Sequence, residues 1–461
     1  MSSEIESNNF YDTDEKVPPV NYRLQRFFFD GTSRITARFP RAGARIMDFA
    51  FRPLFDNPFL AAYATFRNRR RIGGVKAFRR FLVIPDIHIG DSVMSQAVLT
   101  ALRDFFPEAR IDYLVNRNTY PMIEGNPEAD RIIPIFSGGH FPTPGLLKAL
   151  RDIVSENDYD LVLCCTPFVK DRDLRPGARE IINFLNNTPV LMGNERKPAE
   201  VNHFIFQMYR FTRDLVLPFA RPVRGGSFKG VRVSFSDAAA DRARQFAAAA
   251  GLSPGVPAIF YNPDGASPYT RLPFDKQADL LGRLTRRKFP VLLGAGHTET
   301  NIGVRLKETL PLPQRAQVKI IPPELPLDVY VALADACDVF VSGDTGPLHL
   351  AASRKYSRSG RYPFRNRTAI LSIFGGTPSR MSGYDSFQPG YLAANQDAPS
   401  WCYVAGSPCR NITCLNKMFK TCRTVRCFEV ADLGSLAGRI LAYLETRVEN
   451  SSELRKPAAG Q

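Results

Sequence analysis

Residues 339–352 read VFVSGDTGPLHLAA. The β-branched and aromatic run Val339-Phe340-Val341 stops at Ser342-Gly343. After Asp344, Thr345 and Gly346, a proline opens an apolar, helix-favouring run. The pattern is strand, glycine turn, helix start, with Pro347 tolerated in the first turn because its missing N–H has no intrahelical partner there. Open backbone N–H groups and the positive end of a helix dipole at such a turn suit a phosphate. Locally, Asp344 or Thr345 reads equally well as an N-cap, and His349 as a half-buried core histidine.

A stretch of the same design lies some 250 residues earlier, where FLVIPDIHIGD spans 81–91. It is followed by Val93, Met94, Ala97, Val98, Ala101, Leu102 and Phe105 at the 3.6 period, which predicts a helix over 92–106 ended by Pro107. Asp91 is the residue expected to cap that helix. Outward from these two stretches, strands are expected at 111–115, 131–135 and 161–165, with helices at 122–126 and 146–154. The middle, 204–254, reads as mostly helical. Strands then follow at 258–261, 291–293, 318–321 and 369–374, with helices at 274–284 and 327–336. Such alternation means parallel sheets covered on both faces. Four strand ends in the second half finish in Asn/Asp- or Gly-rich turns, as a nucleotide-binding edge does. The expected architecture is α/β, two Rossmann-like halves (81–225 and 257–430) facing a central cleft across a linker at 226–256. A C-terminal helix is expected at 431–448, with disordered tails at 1–22 and 449–461.

The chain has 461 residues, 44% hydrophobic and 23% charged, enough for two cores. No apolar run approaches the ~18–20 residues of a membrane span. The polar, acidic start MSSEIESNNFYDTDEK is unlike a signal peptide, so a cytoplasmic location is expected. The net charge of +16 is concentrated: residues 23–80 hold fourteen Lys/Arg against three Asp/Glu, a net of +11. Aromatics interleave with these arginines. The segment reads either as a patch for an anionic membrane surface or as an accessory subdomain packed on the body. No nucleic-acid-binding module accompanies it, and no nucleic-acid partner is expected.

Three blocks in fixed order resemble glycosyltransferase family nine, the family of the bacterial lipopolysaccharide heptosyltransferases: IGDSVMSQAVLTALRDFFPEARIDYLV, SGDTGPLHLAA and IFGGT. The likeness covers about 81–446. It implies the GT-B fold and inverting, metal-independent transfer of a heptose from an ADP-sugar to a lipopolysaccharide or other saccharide. By the resemblance Asp91 is the general base, since an attacking hydroxyl must lose its proton to a nearby carboxylate. Asp344, Thr345, Gly346 and His349 match the donor block. Arg271, in PYTRLP, stands where relatives carry a cation that neutralises the departing diphosphate; Leu272 replaces the family's Trp. Glu299 aligns with a carboxylate for the ribose hydroxyls, and Gly375, Gly376 and Thr377 are expected to line the same pocket. The resemblance leaves two other outcomes open: a protein O-heptosyltransferase acting on an autotransporter adhesin, and a non-catalytic scaffold. The stretch Arg354–Arg367 reads as a basic insertion, either a solvated loop or a contact for an anionic acceptor.

Asp158-Tyr159-Asp160 and Asp171-Arg172-Asp173 both spell DxD, without the strand context of a metal motif. Cys402, Cys409, Cys414, Cys422 and Cys427 are five of the eight cysteines within 26 residues, with no Cys-x-x-Cys pair. No cofactor is required on this reading. Reduced thiols, or a structural metal (zinc, or iron as the resemblance to protein-modifying members implies), are the alternatives at this cluster.

Overall fold

The computed structural model describes residues 58–453, except 86–87, 137–143, 167–168, 170–173, 175–177, 184–202, 224–230, 254, 266–269, 297–299, 357–367, 376–378, 385–398 and 406–425. Chain order in the first half is α1 (Pro58–Ile72), β1 (Arg80–Ile84), α2 (Ile89–Met94), α3 (Gln96–Phe105), β2 (Arg110–Asn116), α4 (Tyr120–Ile123), β3 (Arg131–Phe136), α5 (Pro144–Asn157), β4 (Tyr159–Cys164), β5 (Ala178–Asn183) and α6 (Phe204–Val216). The second half begins with α7 (Asp237–Ala249), β6 (Ile259–Asn262), α8 (Phe274–Leu284), β7 (Val291–Gly294), α9 (Ile302–Glu308), α10 (Leu312–Arg315) and β8 (Val318–Ile321). It continues with α11 (Leu327–Ala336), β9 (Val339–Gly343), α12 (Gly346–Tyr356), β10 (Ala369–Phe374), α13 (Ser379–Ser382), β11 (Ser400–Val404) and α14 (Leu433–Glu453).

Two sheets result, ordered β3-β2-β1-β4-β5 and β11-β10-β9-β6-β7-β8, and every pairing is parallel. Interior strands are the continuous apolar runs. Phe81–Ile84, Val339–Val341 and Ile370–Leu371 are fully buried, because helices cover both faces. The two Gly-turn stretches therefore sit at corresponding places, at the carboxyl ends of a central strand in each sheet. β5 and β11 were not expected from the pattern. AREIIN and SWCYV form edge strands, half exposed, and so lack an apolar run.

The expected helix at 92–106 is two helices. His88, with extended φ and ψ, occupies the N-cap position of α2, and Ser95 lies between α2 and α3. Asp91 is thus not a cap. It lies in the first turn of α2, where a carboxylate meets the positive end of the helix. Tyr113 on β2 donates from its hydroxyl to the Ser92 carbonyl and pins α2 from behind.

The strap 231–235 joins the halves. Arg232 N–H bonds the Gln96 side chain at 3.0 Å and Ser234 N–H bonds the Met122 carbonyl at 2.9 Å, both in the first half. From the second half, Arg354 reaches the Val233 carbonyl at 3.3 Å and lies 4.7 Å from the Phe235 ring centre. Arg354 is fully buried and paired with Asp335 at 2.8 Å. The expected basic insertion therefore does not include Arg354, which lies in the last turn of α12, and residues 357–367 lie outside the described set.

In the expected basic extension, residues 23–57 also lie outside the described set. α1 is anchored by Arg69 and Arg71, which donate to the carbonyls of Asp214 and Ile181, while Tyr63 and Phe66 are more than 60% exposed. Asp160 of the first DxD accepts the backbone N–H groups of Arg79 and Arg80, a structural role.

Candidate active site

The carboxyl ends of β6 and β9 are tied by buried polar side chains. Asn262 and Ser342 are register partners. The Asn262 amide donates to Ser342 Oγ at 3.0 Å, Thr345 Oγ1 at 3.2 Å and the Asp264 carbonyl at 3.0 Å, while Tyr330 donates to Asn262 Oδ1 at 2.8 Å. Burial, then the charge of Asp264, raises the Tyr330 pKa, so the hydroxyl keeps its proton and stays a donor. The Asp344 N–H bonds the Thr270 carbonyl at 3.0 Å. A Cβ on Gly343 would lie 2.0 Å from that same oxygen, so only glycine admits the loop here. Thr345 precedes α12, and its carbonyl accepts the N–H groups of Leu348 and His349.

On the first turn of α12, His349 is held from two sides. Nε2 lies 3.4 Å from Asp344 Oδ1 and Nδ1 3.2 Å from the Tyr384 hydroxyl. The first half presses directly on this ring. A Cβ on Gly90 would fall 2.4 Å from His349 Cδ2, and one on Gly346 would fall 2.9 Å from Ile89 Cβ. Asp91, with its side chain about 39% exposed, is the next residue on α2. Its carboxylate lies 3.9 Å from His88 Nδ1, and its carbonyl accepts Ser95 N–H at 2.9 Å and Ser95 Oγ–H at 2.6 Å. His203 caps α6 of the first half, with Nδ1 accepting from the Ile205 N–H at 3.3 Å; its ring centre is 5.1 Å from that of Tyr384. Burial lowers the His203 pKa to about 3, helped by His349 and opposed by Asp344.

Arg271 faces the same edge. Its guanidinium pairs with Asp264 and reaches the Gly265 carbonyl at 3.3 Å. Gly296, at φ +82, lets the chain pass where a Cβ would fall 2.7 Å from Asp264 Oδ2. Leu272 is buried in the second-half core, and Gln277 donates to the carbonyls of Pro263 and Leu272, which fixes the Arg271 loop. Gly375 follows β10, and the space a Cβ would take is filled by the Phe428 ring. Glu299, Gly376 and Thr377 lie outside the described residues.

The structure thus brings Asp91, Asp344, Thr345, Gly346 and His349 to one joint, with Arg271 at the neighbouring strand end. It adds Asn262, Tyr330, Ser342, Tyr384 and His203, which the sequence pattern does not single out. Asn262 and Ser342 stand inside turns that the pattern does mark. His203 and Tyr384 carry no local signal.

The family model of glycosyltransferase family 9 (heptosyltransferase) matches residues 225–356, which hold both the Arg271 loop and the donor block. Over those residues the chain is similar to glycosyltransferase family 9. Lipopolysaccharide heptosyltransferase 2 of Escherichia coli (strain K12) is 27% identical over 290 residues, covering 59% of this chain and 80% of that protein. The homologue from Salmonella typhimurium is 24% identical over 288 residues, with the same coverage. Among solved structures, a family 9 glycosyltransferase from Veillonella parvula aligns with TM-score 0.58 at 16% identity, covering 81% of this chain and 98% of its own. E. coli ADP-heptose LPS heptosyltransferase II aligns with TM-score 0.50 at 18% identity, covering 77% and 100%. The fold is the GT-B architecture expected of the family.

For a metal, the described part of the cysteine cluster offers little. Cys402 Sγ accepts from Ser372 Oγ at 3.3 Å, and Cys427 is buried. Cys409, Cys414 and Cys422 lie outside the described residues, and among the described residues no three His, Cys, Asp or Glu side chains group to hold a metal.

Proposed function

We propose that this chain is a family 9 glycosyltransferase that moves a heptose from ADP-heptose to a saccharide acceptor with inversion, without a metal in the transfer step. The observation that carries this reading is the joint itself: the helix bearing Asp91 packs on the N-terminus of the donor-block helix of the other half. An acceptor hydroxyl held beside Asp91 attacks the anomeric carbon. Its proton passes to the Asp91 carboxylate as the new C–O bond forms. The bond from the anomeric carbon to the diphosphate breaks, and ADP leaves with the electron pair. A single displacement inverts the anomeric configuration.

Charge on the leaving diphosphate meets the N-terminus of α12 and the Arg271 guanidinium, which exchanges Asp264 for phosphate. Thr345 and Gly346 supply the donors at the turn, while Asn262 and Ser342 hold the turn in shape. The acceptor is a saccharide carried on a lipid at the cytoplasmic face of the membrane. Supporting that location, Tyr63, Phe66, Arg67 and Arg70 recur at i, i+3, i+4 and i+7 on the exposed face of α1, an aromatic and cationic stripe suited to anionic lipid.

Calorimetric titration with ADP, UDP and GDP tests the donor, with ADP expected to bind tightest and Asp344→Ala to lose that binding. Asp91→Asn is expected to keep ADP binding while turnover drops by about 10²–10⁴-fold. Preference for UDP or GDP removes the heptose assignment, and turnover unchanged in Asp91→Asn removes the base.

A further inference from the structure

The chain has five histidines, and three of them belong to the joint between the halves: His203 and His349 lie within electrostatic reach of each other, and His88 lies 3.9 Å from Asp91. Of the three, His203 belongs neither to the helix of the base nor to the donor block. Its side chain is fully buried, and its two nitrogens differ. Nδ1 accepts the Ile205 N–H, so in the neutral ring Nδ1 carries no proton and Nε2 does. That Nε2–H, turned away from the helix it caps, has no hydrogen-bond partner among the described residues. A buried donor left unmatched among the described residues is costly and uncommon, and a bound ligand is a fitting partner for it.

The surroundings restrict what that partner is. His203 lies beside Tyr384 and within electrostatic reach of His349 and the Asp344 carboxylate. A phosphate brought to this spot would meet a carboxylate and an uncharged imidazole. A hydroxyl fits better, because it can accept from Nε2–H and donate to a carboxylate. The diphosphate has its own place at the start of α12.

The geometry points to His203 as a substrate-contact residue in which Nε2–H, from the first half, donates to a sugar oxygen of the nucleotide-sugar held by the second. This rests on the donor reading above and extends it: within the joint, His203 reads the sugar while the start of α12 holds the diphosphate. Because Nε2 is sealed from solvent, the contact forms as the halves close over the sugar.

Two variants separate this role from capping. His203→Asn keeps a short acceptor for the α6 N-terminus but removes the distant donor. His203→Gln places an amide N–H near the Nε2 position and weakens the cap. Calorimetry of the full chain with ADP and with ADP-heptose is the measurement. His203→Asn is expected to weaken ADP-heptose roughly tenfold, as for one lost hydrogen bond, and to leave ADP within about twofold. His203→Gln is expected to restore most of the ADP-heptose affinity despite a lower melting temperature. Unchanged ADP-heptose binding in His203→Asn overturns the proposal, and so does an equal loss for ADP and ADP-heptose, which would mark His203 as a cap only. Failure of the wild-type chain to bind either ligand instead overturns the donor reading itself.

Discussion

Gly90→Ala tests the joint most directly. The new methyl would lie 2.4 Å from His349 Cδ2, whereas carbon atoms rest at about 3.5–4.0 Å. The two groups must therefore part by roughly an ångström or more. His349 cannot give way cheaply, since Asp344 and Tyr384 hold its two nitrogens, and both belong to the second half. Gly90 belongs to the first. The least costly relief is to separate the halves, at an overpacking cost of about 1–3 kcal/mol. A penalty of that size on the closed form corresponds to roughly a 5- to 150-fold loss of turnover. ADP affinity, carried by the second half, should change less. Gly74→Ala is the control, because nothing lies within 4 Å of its Cβ. Small-angle X-ray scattering should show Gly90→Ala more open than wild type, and a transfer assay should show the loss. Identical scattering together with turnover within about twofold of wild type would refute the reasoning, because the contact would then not govern closure.

Two further outcomes concern stability. Gly438 lies exposed in α14, with open space where a Cβ would go; Gly438→Ala should stabilise the chain by about 0.5–1 kcal/mol in denaturant titration. His203 is held neutral, with its pKa lowered to about 3 by burial and by His349 against the opposing Asp344. The unfolded chain takes up that proton below about pH 6.5, so the stability from this site is complete above that pH. It is lost as pH falls toward the folded value, by up to about 1.4 kcal/mol per pH unit. Melting curves from pH 7 to 4 should fall more steeply for the wild type than for His203→Asn, and equal slopes would remove the histidine from the acid limb.

Much of this protein is legible in the sequence because its interior strands are buried on both faces. Phe81–Ile84, Val339–Val341 and Ala369–Phe374 are continuous apolar runs, and helices such as Phe274–Leu284 show the 3.6 period within one segment. The turns after those strands carry their own local signature, which marks the stretches holding Asp91, Asp344, Thr345, Gly346 and His349, while the roles of these residues came from the family resemblance. Edge strands β5 and β11 escape it, since half-exposed strands carry no such run. The break at Ser95 and the His88 cap also escape, since Tyr113, far along the chain, helps fix α2.

What only the tertiary structure decided is which of these groups meet. Gly90 touches His349 across some 260 residues of chain, and His203 reaches Tyr384 across some 180. Arg354 looks in the sequence like part of a solvated basic loop and is instead buried between Asp335 and the strap from the first half. Periodicity and turn chemistry act over a few residues, so a sequence displays them directly. The partners of a buried polar group are set by how two sheets face each other, and that arrangement is written in no single stretch of the chain.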